Sequence, residues 1–178
     1  LEIKMPLIVE DGTGKEDANA YVDVAFADDY FNFRSNSNWT GTTQEKESWI
    51  VRATDYIELR FALLFLGEKK NPRQALSFPR KGLKDIADDV VPNAVKRACC
   101  EYAVRAKNGP LAPDIARDDS GFVVKHKREK LGPIEEETRF QVGASGQPQL
   151  LFPIYPEADF LLLFLLADGM GGRKVVRN

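Results

Sequence analysis

The chain has 178 residues, 43% of them hydrophobic, and its 25 Lys and Arg against 27 Asp and Glu give a net charge of −2. This length allows one domain with a proper core, and the balanced charge excludes a global basic field that would hold nucleic acid by counterion release. The two adjacent cysteines exclude a disulfide framework, and the longest apolar run, of 8 residues, is too short to span a bilayer.

Residues 1–20 are predicted as an extended N-terminal arm that contains the turn VEDGTGKED. Its Gly-Thr-Gly-Lys resembles a phosphate-binding loop, but Val9 stands where that loop needs its first glycine, and Glu16 replaces the required Ser or Thr. A calcium loop starting at Asp11 would place Lys15 at an oxygen-ligand position. The stretch therefore predicts a surface turn in which two glycines take positive φ. No basic-then-apolar leader opens the sequence, so we expect a soluble protein that is not secreted by its own signal.

Two amphipathic helices are predicted next, in a domain that spans residues 21–142. The first runs over about 24–34, with Asp23 placed to cap its first turn. The second follows a Thr-x-x-Glu capping box at 42–45. Its buried face is predicted to consist of apolar residues at three- and four-residue steps, namely Trp49, Ile50, Ala53, Ile57, Phe61 and Leu64.

A proline-containing loop and a third helix follow. Residues 67–79 break the second helix, and proline keeps the segment around ALSFPR non-helical. We expect Leu76 and Phe78 of this loop to insert into the core. The third helix opens with Pro92 and stops at 108–110. Its buried stripe consists mostly of small residues, namely Ala94, Val95, Ala98, Cys99, Tyr102, Ala103 and Ala106.

The character of the sequence changes after Gly121, where β-branched and charged residues predict a hairpin at about 121–142. Residues 143–178 are predicted as a C-terminal arm with a short helix at 158–168. Because that helix is apolar nearly all round, we expect a partner subunit to bury it. The predicted fold class is therefore mainly α: a small helical bundle with a β-hairpin and extended N- and C-terminal arms.

No set of residues predicts catalysis, a cofactor or a metal site. His126, the only histidine, lies among basic residues with no carboxylate next to it. Cys99 and Cys100 point about 100° apart on a helix, unlike a Cys-x-x-Cys zinc pair, and are interpreted as reduced core residues. Trp39 and Trp49 are interpreted as core or loop anchors. The predicted structural core includes Trp49, Ile57, Phe61, Phe78, Cys99 and Tyr102.

One basic segment stands out in the hairpin. Residues 125–130 contain four fixed positive charges, one histidine and one carboxylate. The basic residues are Lys125, His126, Lys127, Arg128 and Lys130. The acidic residues of 134–137 follow. One interpretation is a solvated hairpin whose strands pair opposite charges, at about 0.2–1 kcal/mol per pair. The other is a basic finger that contacts a polyanion or the acidic groove of a partner, and the sequence leaves both open.

Five segments together resemble one family of tailed-bacteriophage proteins. They are VEDGTGKEDANAYV, WIVRATDYIELRF, QALSFPRKG, VPNAVKRACCEYAVRAKNGPLAPD and REKLGPIEEE, in the order that the family shows. The matches cover roughly residues 8–137. The family is often labelled DnaT-like single-stranded-DNA-binding protein, and it is similar to the head-to-tail connectors, which are also called adaptors or head-completion proteins.

The resemblance implies a structural protein of the virion neck, made in the host cytoplasm, with no enzymatic activity, no cofactor and no membrane contact. It implies a homo-oligomeric ring, twelve-fold, that lies under the portal and extends the DNA channel toward the tail. The implied partners are copies of the chain, the portal protein, tail or tail-terminator proteins, and double-stranded DNA that passes without sequence-specific binding. Weak, mixed charge suits a conduit, because a strongly basic lumen would hold phosphates.

The resemblance also implies roles for particular segments. The glycine turn leads the arm into the first helix, with residues 19–21 tying the arm to the bundle, and the basic hairpin faces the channel or a partner. The residues implied to dock onto the portal or a neighbouring subunit are Phe160, Leu163, Phe164, Arg173, Lys174 and Arg177. The alternative is a DNA-replication accessory protein that binds single strands through the basic hairpin and aromatic residues, with an affinity that falls steeply with salt.

Overall fold

The computed structural model describes residues 6–114, 126–131, 134–139 and 153–167. Its elements are, in chain order, α1 (Val24–Asn32), α2 (Thr43–Phe61), β1 (Glu68–Lys69), β2 (Arg80–Lys81), α3 (Asn93–Ala106), β3 (His126–Leu131), β4 (Ile134–Arg139), α4 (Pro156–Leu162) and a 3-10 turn (Leu163–Leu165). The chain divides into two compact units, Leu1–Leu111 with Ile154–Asn178, and Ala112–Pro153. The predicted mainly α fold with a β-hairpin is confirmed.

Local capping explains where the first two helices begin. The Asp23 side chain accepts a first-turn N–H at 2.7 Å. In the predicted capping box, the Thr42 hydroxyl accepts the Glu45 N–H and the Glu45 carboxylate accepts the Thr42 N–H. The first helix ends two residues earlier than predicted, and Ser35 then takes a left-handed φ of 51°.

Helix α3 is the centre of the bundle, because α1, α2 and α4 all pack against it. Nine of its 14 residues are buried, more than the single stripe that the sequence predicts. Small alanine and cysteine side chains let the neighbouring elements approach from several sides. Pro92 caps this helix rather than lying within its first turn.

The predicted core is mostly confirmed. Ile57, Phe61, Phe78, Cys99 and Tyr102 are all buried, and Leu76 of the predicted loop insertion is buried with them. The prediction for Trp49 was wrong, because its ring is only partly covered. That ring packs edge-on against the buried ring of Trp39, 5.6 Å between centroids, at the margin of the core. Leu64, predicted on the buried face of α2, is exposed because it lies beyond the end of the helix.

Three buried tyrosine hydroxyls each donate a hydrogen bond to a carboxylate on another element. The pairs are Tyr21 with Glu58, Tyr30 with Glu101, and Tyr102 with Asp159. They join the N-terminal segment to α2, α1 to α3, and α3 to α4. Burial, together with the carboxylate partner, raises the pKa of Tyr30 to about 12 and also raises the pKa of Tyr21 and Tyr102.

A buried arginine closes the end of α2. Arg80 donates to the carbonyls of Phe65, Leu66 and Gly67 at 3.1, 2.6 and 2.6 Å. These carbonyls follow the last turn of α2, where backbone acceptors lack partners within the helix. Arg80 therefore fixes the chain as it leaves the bundle toward the short β1–β2 pair.

In the second unit, β3 and β4 form an antiparallel hairpin. Its register sets Arg128 opposite Glu137 and Lys130 opposite Glu135, but Glu129 opposite Glu136. None of the helices that the structure describes has the length and hydropathy to cross a membrane.

Candidate functional sites

The glycine turn near the N-terminus encloses one of its own carboxylates. Glu10, only 1% exposed, accepts the backbone N–H groups of Gly12, Gly14 and Lys15 at 2.8, 2.9 and 2.8 Å. Gly12 and Gly14 have φ of 99° and 81°, so the predicted positive φ at both is confirmed. Converging N–H groups of this kind form an anion-binding concavity in phosphate loops. Here the chain's own carboxylate occupies it.

The same turn is fixed to the rest of the bundle. The Lys70 ammonium donates to the Gly12 carbonyl at 2.9 Å, and the Ala75 N–H donates to the Lys15 carbonyl at 2.9 Å. A side chain at residue 12 would meet the Asp89 carbonyl oxygen at 1.9 Å. These contacts make the turn part of the packed body of the protein.

The two cysteines are inert in this structure. Both are buried, and burial raises the pKa of the Cys99 thiol to about 12. A thiol with so high a pKa supplies almost no thiolate, which is the form that attacks or binds metal. Among the residues that the structure describes, no three His, Cys, Asp or Glu side chains lie close enough to hold a metal ion.

One buried carboxylate attaches α4 to the bundle. Asp159 is fully buried, lies 3.0 Å from the Arg60 guanidinium and accepts the Tyr102 hydroxyl. It also accepts the Tyr155 N–H, at the start of its own helix, at 3.0 Å. This side chain joins α4 to both α2 and α3. The expectation that a partner subunit covers this helix therefore applies only to its outward face.

That outward face is part of a larger region, which we call the apolar surface. It is formed by exposed large side chains from the last turn of α2, from the residues that follow α2 and from the α4 segment, namely Leu59, Leu63, Leu64, Leu66, Phe160 and Phe164. Leu63 is 99% exposed, and the two phenylalanines are each 63% exposed. The Leu66 N–H donates to the Leu165 carbonyl, and the Ala167 N–H donates to the Leu64 carbonyl, both at 2.8 Å. These bonds hold the two segments side by side.

The structure brings only some of the predicted docking residues together. Phe160 and Phe164 lie in the apolar surface, and Leu163 between them is half-buried. The other three, Arg173, Lys174 and Arg177, lie outside the described residues. The sequence analysis missed Leu59, on the last turn of α2, and Leu63, just after the end of that helix.

The predicted basic hairpin segment is described only in its backbone. His126, Lys127, Arg128 and Lys130 lie on β3, and Lys125 lies outside the described residues. Two of the basic positions face acidic positions in the register, as the solvated-hairpin interpretation expects. Both interpretations of this segment remain predictions.

A polar cleft of about 330 Å³ lies at the C-terminal end of α3. Amides, cations and two carboxylates surround it, from Asn36, Asn38, Glu101, Val104, Arg105, Lys107, Asn108 and Glu157. Arg105 lies between the carboxylates, 2.8 Å from Glu101 and in contact with Glu157. Next to it is a cavity of about 280 Å³ that shares Arg105 and Asn108 and extends to the Tyr155 ring. The sequence analysis did not predict this cleft.

The fold and these sites define a small helical-bundle protein with an antiparallel hairpin and two anchored terminal segments. The family described as "Putative DnaT-like ssDNA binding protein" matches residues 5–178, and the chain belongs to this family. That description agrees with the label of the resembled family, and it fits the single-stranded-DNA-binding alternative better than the connector role. No curated protein and no solved structure matches the chain significantly.

Proposed function

We propose that this chain is a structural head-to-tail connector of a tailed bacteriophage, which assembles into a ring under the portal and extends the DNA channel to the tail. The protein would act in the virion neck without enzymatic activity. The observation that carries the proposal is the apolar surface, where two segments joined by a pair of backbone hydrogen bonds expose six large apolar side chains. Soluble monomers rarely expose contiguous apolar patches beyond a few hundred Å².

The apolar surface would bind a second copy of the chain. Each leucine or phenylalanine that becomes fully covered contributes about 1.5–3 kcal/mol, so covering several of them can offset the entropy lost on association. A closed ring uses two different surfaces of each subunit, one meeting the other on the next copy. The five-segment sequence resemblance supports this choice of partner. The basic tail residues and the hairpin would then contact the portal, the tail or the passing DNA.

A second candidate function is single-stranded DNA binding in replication. The family description supports it, and the sequence analysis assigned it to the basic hairpin and aromatic residues. It requires no self-assembly. The two functions therefore make separate predictions about oligomeric state and about affinity for oligonucleotides.

Sedimentation velocity over a range of protein concentrations tests the proposal. We expect the natural chain to form a ring-sized species, and the double variant Leu63→Gln, Phe164→Ser to remain a monomer. Phe33→Ala is the matched control, because Phe33 is 92% exposed but lies outside the apolar surface. A natural chain that stays monomeric alone and adds no ring to its portal in negative-stain images would contradict the connector role.

A further inference from the structure

The loop between α1 and α2 forms one wall of the polar cleft. The Lys107 ammonium holds this loop by donating to the Asn38 carbonyl at 2.9 Å and to the Thr40 hydroxyl at 2.8 Å. Asn36 and Asn38 therefore face the end of α3, which contributes Asn108 and Arg105. The amides of the cleft can both donate and accept hydrogen bonds.

The first two residues of this loop, Phe33 and Arg34, are exposed. Phe33 is 92% exposed. Arg34 follows, with its guanidinium 3.6 Å from the centre of the Tyr30 ring. Phe33 lies three residues before Asn36, which lines the cleft. Single-stranded nucleic acids bind where exposed aromatic rings, for base stacking, are combined with cations, for phosphate contacts.

We propose that the polar cleft, with Phe33 and Arg34, is a binding site for single-stranded DNA. The site goes beyond ring assembly and rests on the second candidate function. One unpaired base would enter the cleft and form hydrogen bonds with its amides, and a neighbouring base would stack on Phe33. Arg34 and Lys107 would contact the backbone phosphates.

The charges of the cleft determine which part of the strand enters it. Glu101 and Glu157 flank Arg105 and neutralise it, so a phosphate placed there would meet two carboxylates. A neutral base does not meet this repulsion. A duplex would not fit the site in the same way, because its base edges are already paired. With about two phosphates contacted, the logarithm of the affinity should fall with the logarithm of salt concentration with a slope of about −1.4.

Fluorescence anisotropy with a labelled oligothymidylate of about 12 nucleotides tests the site. Phe33→Ala and Asn108→Ala should each weaken binding, the first by about 5- to 150-fold if its ring stacks on a base. Both residues are exposed, and unchanged thermal midpoints would show that the variants fold. Phe164→Ala is the matched control, since it removes an exposed phenylalanine from the apolar surface and should leave the affinity unchanged.

A third variant separates this site from the basic hairpin. It replaces Lys125, Lys127 and Arg128 by alanine. Loss of binding in this variant, with full binding by Phe33→Ala, would overturn the proposal, as would a natural chain with no affinity for the oligonucleotide. Sedimentation velocity of the same variants distinguishes the two proposals. Phe33→Ala should weaken DNA binding and leave assembly unchanged. Phe164→Ala should weaken assembly and leave DNA binding unchanged.

Discussion

Each terminal segment of the bundle is anchored by a buried carboxylate and by a tyrosine–carboxylate hydrogen bond, but the outer faces of the two segments differ. In residues 6–22, buried Glu10 organises the glycine turn, and Tyr21 donates to a carboxylate of α2. In residues 153–167, buried Asp159 binds a tyrosine and an arginine of the bundle. In the first segment, the Glu10 side chain and the glycines Gly12 and Gly14 are buried. The second is fixed on its inner face and exposes two phenylalanines on its outer face.

The difference indicates which segment is complete within a single chain. A buried carboxylate with several donors fixes a segment in one position, whatever lies outside it. Exposed phenylalanines add nothing to that position, because they gain free energy only when something covers them. The N-terminal segment is thus a structural part of the monomer. The C-terminal segment holds its exposed phenylalanines in a fixed position, where the proposed second copy of the chain would bind.

The largest effect is expected from removing the charge that anchors the C-terminal segment. Asp159→Asn removes the buried carboxylate that contacts the Arg60 guanidinium and accepts the Tyr102 hydroxyl, and breaking a buried ion pair costs about 3–5 kcal/mol. Urea denaturation should show this decrease in the free energy of unfolding. Glu157→Gln is the matched control, because this neighbouring carboxylate is mostly exposed and its contact with Arg105 contributes little. Equal stability of the two variants would show that Asp159 does not anchor α4.

The matching change in the N-terminal segment should cost less. In Glu10→Gln the amide replaces one acceptor oxygen by a donor, which then faces a backbone N–H of the turn. We expect a loss of about 2–3 kcal/mol, since hydrogen bonds to charged groups are the stronger ones. Denaturation of Glu16→Gln gives the control, because Glu16 forms only an exposed pair with Arg73. If Glu10→Gln lowers the free energy of unfolding no more than Glu16→Gln does, the Glu10 carboxylate does not stabilise the turn.

Alkaline pH tests the kind of pair that anchors both segments, a tyrosine bonded to a carboxylate. Tyr30, which joins α1 to α3 and lies in neither segment, provides the measurable case, because its pKa in the folded chain is raised to about 12. The unfolded chain loses this proton near pH 10, so the stability is fully present below pH 10 and is lost as the pH rises toward 12. Between these values, each pH unit should remove about 1.4 kcal/mol for this tyrosine.

Tyr30→Phe should decrease the slope of stability against pH by that amount and leave the other tyrosine pairs to titrate. Denaturant titrations at stepped pH measure both slopes. Identical slopes for the two chains would show that the Tyr30 proton is not held by the fold.

The sequence predicted what depends on local patterns. The capping box at Thr42 and the apolar spacing of α2 and α3 depend on residues three or four positions apart, which a sequence displays directly. The burial of Leu76 and Phe78 was also predictable, because bulky apolar side chains in a non-helical proline segment leave water only by inserting into the core. The rejection of a phosphate loop followed from the missing glycine.

Long-range pairs could not be predicted in this way. Asp159 binds Arg60, 99 positions away, and the polar cleft joins the α1–α2 loop to the end of α3. A single sequence does not show which carboxylate meets which arginine. The role of Glu10 was hidden for a similar reason, since an acidic residue beside glycines is typical of any solvated turn. Trp49 was misplaced because its position on the apolar face does not reveal how far the core extends.

The smallest change in the free energy of unfolding of the monomer should come from a substitution in the apolar surface. Leu63 is 99% exposed, so Leu63→Gln should change the free energy of unfolding of the monomer by no more than about 0.5 kcal/mol. The effect should appear instead in the concentration dependence of the thermal midpoint. A partner that binds only the folded state raises that midpoint by mass action.

The midpoint of the natural chain should therefore rise with protein concentration, and that of Leu63→Gln should rise less. Asp55→Asn changes an exposed polar position of α2, outside the apolar surface, and should keep the concentration dependence of the natural chain. If the natural chain shows the same midpoint at every concentration, the outer face of the C-terminal segment does not join copies of the chain. The segment would then be as complete in the monomer as its N-terminal counterpart.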